Sequence, residues 1–238
     1  MKPGQQQAIH LNCDLGEDPL SVERDKKLLA LVDAANIACG GHAGDRQSAR
    51  YWKQLADSQG RQWNLHLSYP DRKNFGRLPM DISWPDLERA LNVQRSHLPE
   101  GRSVKFHGAL YNQAAASCIL AKQLLSWCGD NAVTSLLAPP GSVIAKLAPD
   151  FKVTVIKEGF ADRRYQWREG RLRLTPRQQP DAVIIDTDQV ISHINNTLTH
   201  RAILTDKGIK PFYCDTWCIH SDSDNAVKIA ETIRARWP

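Results

Sequence analysis

Side chains able to do acid–base or metal chemistry recur in pairs along this chain: Asp14 with Glu17, His42 with Asp45, His66 with Asp71, Lys105 with His107, Glu158 with Asp162, and His220 with Asp222. Imidazoles and carboxylates together can hold a divalent metal, which polarises a carbonyl and lowers the pKa of a bound water. Without a metal the same groups supply a general base, a general acid and a cation for an oxyanion. Both chemistries stay open on these residues. No H-x-x-x-H or H-E-x-x-H pair supplies two ligands from one element, which speaks against tightly held zinc. Nucleophilic catalysis has thinner support, since no G-x-S-x-G elbow occurs. Neither a G-x-x-x-x-G-K-S/T loop nor a G-x-G-x-x-G fingerprint is present, so any ATP would be bound by another device.

Almost every pair sits at the end of an apolar run that reads as a strand. The runs are residues 9–15, 34–39, 63–67, 104–106, 134–138, 152–156 and 210–219. Helical patterns lie between them, over residues 20–32, from the N-cap candidate Asp45 to Gly60, over 84–98 behind Ser83 and Asp86, up to Gly129, over 143–147, from Asp186 or Asp188 to Leu198, and from Ala226 onward. Residues 182–185 are read as a peripheral strand or part of a long excursion. Strand and helix in alternation imply parallel pairing, because parallel strands need crossover connections. A doubly wound sheet gathers its chemistry at one switch point, whereas polar groups here close nearly every strand. The expected fold is therefore an α/β structure, an irregular seven-stranded (β/α) TIM-like barrel occupying residues 1–238 as one domain, with its site at the carboxyl ends of the strands.

Composition is that of an ordinary folded protein, 42% hydrophobic and 24% charged, which excludes disordered and fibrous classes. Much of the +5 charge comes from Arg163, Arg164, Arg168, Arg171, Arg173 and Arg177. Those arginines read either as a solvated basic loop or as a site for anionic groups. No nucleic-acid motif accompanies them, and no apolar run suggests a membrane span or a secretory leader, so a cytoplasmic location and a small-molecule substrate are expected. The six cysteines lack a C-x-x-C pair and read as reduced, mostly small core residues.

Six stretches in series, LNCDLGE, NIACGGHAGD, HLSYPD with NFGR, VKFHGALYN, EGFADRRY and CIHSDSDNAV, resemble the LamB/YcsF family over nearly the whole chain. That resemblance implies an irregular barrel of the glycoside hydrolase/deacetylase type. It also implies ATP-dependent opening of the lactam 5-oxoproline to L-glutamate, with Mg2+ accompanying ATP and two partner proteins, subunits B and C. Catalytic duty would fall to Asp14, His42, Asp45, His66, Lys105, His107, Glu158, Asp162 and His220. Substrate contacts would fall to Glu17, Tyr69, Asp71, Arg77, Tyr111, Asn112 and Arg163. Two other functions fit the same barrel: a stand-alone metal-dependent amidohydrolase or deacetylase with a metal bound at the mouth, and a non-catalytic substrate-binding subunit. The chain departs from the family pattern at Asp18 and Pro19, at Gly41 where the family has Phe, at Arg46, Leu67 and Phe106 where it has Pro, and at Ser221 where it has Gly. The small residue at Gly41 is expected to widen the mouth beside His42.

Overall fold

Alternating strands and helices leave the chain few ways to bury both, and the computed structural model, which describes residues 8–223 and 225–238, adopts the closed one. In chain order the strands are β1 (Leu11–Leu15), β2 (Ala34–Ala38), β3 (Gln62–Leu67), β4 (Ser103–Phe106), β5 (Ser135–Ala138), β6 (Thr154–Phe160), β7 (Tyr165–Arg168), β8 (Arg171–Leu174), β9 (Ala202–Thr205), β10 (Gly208–Pro211) and β11 (Thr216–Ile219). The helices are α1 (Val22–Leu31), α2 (Arg46–Ser58), α3 (Trp84–Arg95), α4 (Gly108–Ala114), α5 (Cys118–Asp130), α6 (Val143–Leu147), α7 (Thr187–His200) and α8 (Ala226–Arg236). Seven strands close a parallel barrel in the order β1-β11-β6-β5-β4-β3-β2, and the other four form a separate sheet in the order β10-β9-β7-β8.

The seven barrel strands match the expected number, but two expected runs divide differently. Residues 210–219 are not one strand: β10 ends at Pro211 on the edge of the second sheet, where a missing N–H costs nothing, and β11 begins at Thr216 in the barrel. Residues 182–185 contribute only an isolated bridge between Arg163 and Val183. The strand expected over 152–156 runs on to Phe160, because Glu158, Gly159 and Phe160 continue to pair with Thr216, Trp217 and Cys218. Gly159 allows this by leaving room for a neighbour, since a Cβ there would lie 2.8 Å from the Cys214 sulfur.

Register decides what the barrel encloses. Asp14 stands opposite Asn36, Asn36 opposite Asn64, His66 opposite Lys105, Asn12 opposite Cys218, and Thr216 opposite Glu158. Residues opposite one another share a face, so this set fills the lumen with polar groups. A side-chain ladder joins them: Asn64 Nδ2 donates to Asn36 Oδ1 (2.8 Å), Asn36 Nδ2 to Asn12 Oδ1 and Asp14 Oδ1 (both 2.8 Å), and Asn12 Nδ2 to Thr216 Oγ1 (2.9 Å). Such amides are tolerable in a dry interior only because they satisfy one another. The alternate residues, among them Leu11, Leu15, Ile37, Leu65, Val104 and Leu136, join Leu28, Trp52, Leu91, Leu124 and Ile229 of the helices in the apolar core.

Helix starts follow local chemistry. Asp45 accepts from Ser48 N and the Ser48 side chain pairs with the Asp45 backbone in a capping box at α2, while Ser83, Ser117, Ser142 and Asp186 cap α3, α5, α6 and α7. All six cysteines are free, and Cys13, Cys39, Cys128 and Cys218 are buried. Among the described residues no helix is long and apolar enough to cross a membrane.

Candidate functional site

Four segments deliver an imidazole–carboxylate cluster to the carboxyl end of the barrel: Glu17 from the turn after β1, His42 from the turn after β2, His66 from β3 itself, and His107 from the end of β4. One ligand-capable atom from each lies within 4.8 Å of the others. The β3 loop is fastened against this group by backbone that only glycine allows. Gly108 has φ +56°, and a Cβ on it would lie 2.4 Å from the Gly76 carbonyl, which instead accepts from Ala109 N at 2.9 Å. Phe75, held in that loop, meets the rings of His42 and His107 edge-on at 5.1 and 5.3 Å, and His42 stacks on His107 at 3.8 Å.

Backbone carbonyls set the imidazole tautomers. His66 Nδ1 lies 3.1 Å from the Lys105 carbonyl and His107 Nε2 lies 3.0 Å from the Phe75 carbonyl, so those nitrogens carry the protons. Their other nitrogens, His66 Nε2 and His107 Nδ1, then face each other at 3.0 Å. Two lone pairs at that distance repel, and the contact needs a proton or a cation between them. A proton is favoured on His66: burial opposes the charge, but the Asp14 and Glu17 carboxylates, at 3.3 and 3.4 Å, outweigh it and raise its pKa to about 9. Burial holds His42 and His107 neutral, in each case lowering the pKa, well below the usual range for His107. His42 Nε2 donates to Glu17 Oε1 at 2.9 Å, which helps the other imidazoles hold Glu17 ionised against its burial.

The same atoms fit a divalent ion. Three imidazole nitrogens and one carboxylate oxygen are a donor set suited to zinc and neighbouring transition ions. Two of the histidines already donate their remote N–H to a carbonyl, the outer arrangement that metal-ligating imidazoles require. The missing local His pair of the sequence is no obstacle, because the barrel assembles the donors from four segments.

Lys105 occupies the lumen beneath this cluster. Its ammonium lies 2.7 Å from Asp14 Oδ1, 2.9 Å from Glu158 Oε1 and 3.1 Å from the Cys218 sulfur. Although burial works against ionisation of both partners, His66 and Lys105 together hold Asp14 well below the usual carboxylate range, and Asp14 holds Lys105 well above the usual lysine range. Both Glu158 oxygens lack a well-aligned hydrogen bond, as does the Tyr111 hydroxyl, whose pKa is raised by burial and then by Glu158. On the far side, His220 Nδ1 lies 2.8 Å from Asp162 Oδ1 and its backbone N–H donates to Asp162 Oδ2 at 2.9 Å, with the ring stacked on Phe160. The carboxylate thus fixes the imidazole, and Nε2 is left for a solute.

Asp14, Glu17, His42, His66, Lys105, His107, Glu158, Asp162, His220 and Tyr111 are therefore brought together. Other expected site residues are not. Asp45 is exposed and spends its carboxylate capping α2. Asp71 accepts from the Asn74 backbone and side chain to close its loop. Asn112 is exposed on α4. Tyr69 donates its hydroxyl to Gln113 at 2.5 Å. Arg163 is buried and clamps the carbonyls of Ala182 and Thr175. Arg77 is outside the buried cluster but borders it, pairing with Asp222 at the rim and covering the Phe75 ring.

Gly41 also corrects an expectation. The space beside it is filled, not widened: a Cβ there would lie 2.3 Å from Gln94 Oε1 and 2.4 Å from Ser68 Oγ. Gln94, buried on α3, accepts from Ser68 N and donates to Ser68 O at 3.0 and 2.9 Å. Sequence reading gave no site role to Gln94, Phe75, Cys218 or the lumen asparagines, although Phe75 stands in the NFGR stretch, and it placed Arg177 only within a basic cluster with two open readings.

Histidines, carboxylates and a lysine thus converge at the carboxyl face of a parallel β/α barrel, the face at which barrel enzymes carry their active sites. The chain is a member of the LamB/YcsF family, whose profile matches residues 9–237. It is similar to the A-type component of 5-oxoprolinase from Methylococcus capsulatus, 35% identical over 95% of this chain and 90% of that one. Proteins of the same name from Neisseria meningitidis and Brevibacillus brevis are 36% and 34% identical, covering 95% of this chain and 94% and 92% of theirs. The crystal structure of the lactam utilization protein from Thermus thermophilus superposes with a TM-score of 0.83 at 27% identity, covering 97% of this chain and 96% of that one.

Proposed function

We propose that this chain hydrolyses the lactam of 5-oxoproline to L-glutamate, as one component of an ATP-driven assembly. The supporting observation is the pairing, at one barrel mouth, of an imidazole–carboxylate cluster with a separate Asp162–His220 dyad, because amide hydrolysis needs a base for water and an acid for the departing nitrogen. Glu17 and its histidines orient and deprotonate water for attack on the lactam carbon. The C–N bond then breaks, and His220, oriented by Asp162, protonates the ring nitrogen as it becomes the amine of glutamate. Lys105 places a fixed positive charge near the oxygen that gains charge during attack. ATP is required because a five-membered lactam is a stable amide. Phosphorylating its oxygen makes the carbon electrophilic; once water has added and the C–N bond has broken, the carboxyl is left as an acyl phosphate, which a second water hydrolyses to carboxylate and phosphate. Partners equivalent to subunits B and C complete the assembly, which works in the cytoplasm.

A second reading rests on the donor set of Glu17, His42, His66 and His107. A divalent ion there would polarise the carbonyl and acidify water, and the chain would act as a stand-alone amidohydrolase without ATP. Glutamate and ADP formation from 5-oxoproline, measured with and without candidate partners, separates the two. Glutamate formed only with ATP and partners supports the first. ATP-independent amide cleavage by the protein alone, with no glutamate under any combination, overturns it. His107→Ala is expected to abolish turnover with the fold retained by circular dichroism, and persistent activity would make the β4 motif structural.

A further inference from the structure

Cations at the carboxyl face of the barrel are unevenly committed. Lys105 is taken up by Asp14 and Glu158 inside the lumen, and Arg163 by two backbone carbonyls. Arg77 and Arg177 differ from both, for they share one carboxylate. Arg177 donates through Nη1 to Asp222 Oδ2 at 2.6 Å and through Nη2 to Oδ1 at 3.3 Å, and Arg77 Nη2 donates to the same Oδ2 at 2.9 Å. Two guanidinium charges against one carboxylate leave one positive charge unmatched. The three side chains come from three loops, after β3, before α7 and after β11. They are 40%, 27% and 38% exposed for Arg77, Arg177 and Asp222, so a solute can reach them.

Their position relates them to the buried chemistry. The Arg77 guanidinium covers the Phe75 ring at 4.8 Å, and that ring is the one that meets His42 and His107. Arg177 lies within electrostatic reach of Asp162 and Glu17, and Asp222 of His220. The unmatched charge therefore stands at the rim, with the two proton-transfer centres beneath it.

We propose that Arg177, paired with Arg77 across Asp222, binds the carboxylate of the substrate, so that the site selects lactams bearing an acid group. The assignment rests on the lactam reading above and names the residue that enforces it. A planar guanidinium has more than one pair of parallel N–H donors that match a carboxylate, and with the Nη1–Nη2 edge of Arg177 on Asp222 the Nε–Nη edge is the one that meets the substrate. Asp222 keeps the two arginines from repelling each other and aims Arg177, while the spare positive charge meets the ligand's negative one. With the carboxylate held at the rim, the lactam ring reaches inward past Phe75. A neutral lactam gains nothing from this contact.

The test compares wild type with Arg177→Gln and Arg177→Lys in the assembled, ATP-supplied enzyme. It also measures binding of 5-oxoproline and of its neutral amide, pyroglutamide, to the chain by calorimetry. Arg177→Gln is expected to raise KM and weaken 5-oxoproline binding roughly 10- to 100-fold, the loss typical of a charged hydrogen bond. Its kcat and its affinity for pyroglutamide are expected to stay within about threefold of wild type, and Arg177→Lys is expected to recover part of the loss. Equal loss of both ligands, or of neither, in a variant with wild-type circular dichroism overturns the assignment while wild-type turnover leaves the lactam reading standing. A wild-type protein that neither binds nor turns over 5-oxoproline overturns both.

Discussion

Replacing Gly41 by Ala tests whether the packing beside His42 works as described. The added methyl would meet Gln94 Oε1 at 2.3 Å, Ser68 Oγ at 2.4 Å and Gln94 Cδ at 2.6 Å. Gln94 must move, and Ser68 N and Ser68 O then lose their buried partners. Each orphaned group costs about 1–3 kcal/mol, and the lower unfolded-state entropy of Ala returns about 0.4–1 kcal/mol, so two orphaned groups leave a net loss of about 1–5 kcal/mol, with about 3 at the middle of that range. In a chain of this length that lowers Tm by about 5–10 °C. Gln94→Ala alone carries a similar penalty, because it orphans the same two groups. In that background Gly41→Ala has only the Ser68 hydroxyl to displace, so its further cost falls to about 1 kcal/mol or less. Denaturant unfolding of the four proteins of this double-mutant cycle should give a coupling near ~2 kcal/mol. An equal Gly41→Ala penalty in both backgrounds would refute the reasoning.

Other consequences are open to measurement. Asp25, buried on α1 with one oxygen accepting from Gly16 N and the other without a hydrogen bond and 3.8 Å from Arg24 Nε, has its carboxyl pushed up to about 6, chiefly by burial. A folded-state value above the unfolded one means that stability falls as pH rises from about 4 through 6. Asp25→Asn should therefore unfold like wild type at about pH 4 and be more stable by up to about 3 kcal/mol at about pH 8, and a pH-independent difference would contradict this. Lys105→Met leaves Asp14 and Glu158 without their cation, which should cost about 3–5 kcal/mol by urea unfolding at about pH 7, and a loss below about 1 kcal/mol would contradict the pairing. Cobalt(II) titration monitored by visible absorption should saturate at about one ion per chain and be lost in Glu17→Gln and His66→Ala, and the absence of a band would remove the metal-dependent reading.

The sequence was most legible where strands end in chemistry. Apolar runs closing in Asp14, His42, His66, Lys105 and His220 identified a barrel and one face of it, because a strand buried on both sides leaves its polar residues little choice of place. The second sheet was not legible. Its β7–β8 hairpin turns at Glu169 and Gly170, both at positive φ, and its arginines alternate with apolar residues in a stretch whose charge reads as loop. Arg168 and Arg173 are paired there with Asp206 and Glu169, so most of that basic cluster is surface, while Arg177 turns to the mouth. Asp45 and Asp71 stand in the right motifs, but the nearest backbone N–H groups compete for their carboxylates and win. The asparagine ladder exists only once strands far apart in sequence are neighbours, and no local pattern encodes that.

That ladder also bears on how the protein is made. Its last rung is Thr216, which accepts from Asn12 and whose strand, β11, seals β1 to β6. A ribosome-bound chain that has not yet released residue 216 holds two open sheet edges and an orphaned amide in the lumen. Lys105 would also lack its Cys218 neighbour, and Asp162 its histidine. The centre cannot mature piecemeal during synthesis, and the exposed edges of β1 and β6 are where a stalled or truncated chain would aggregate or recruit a chaperone.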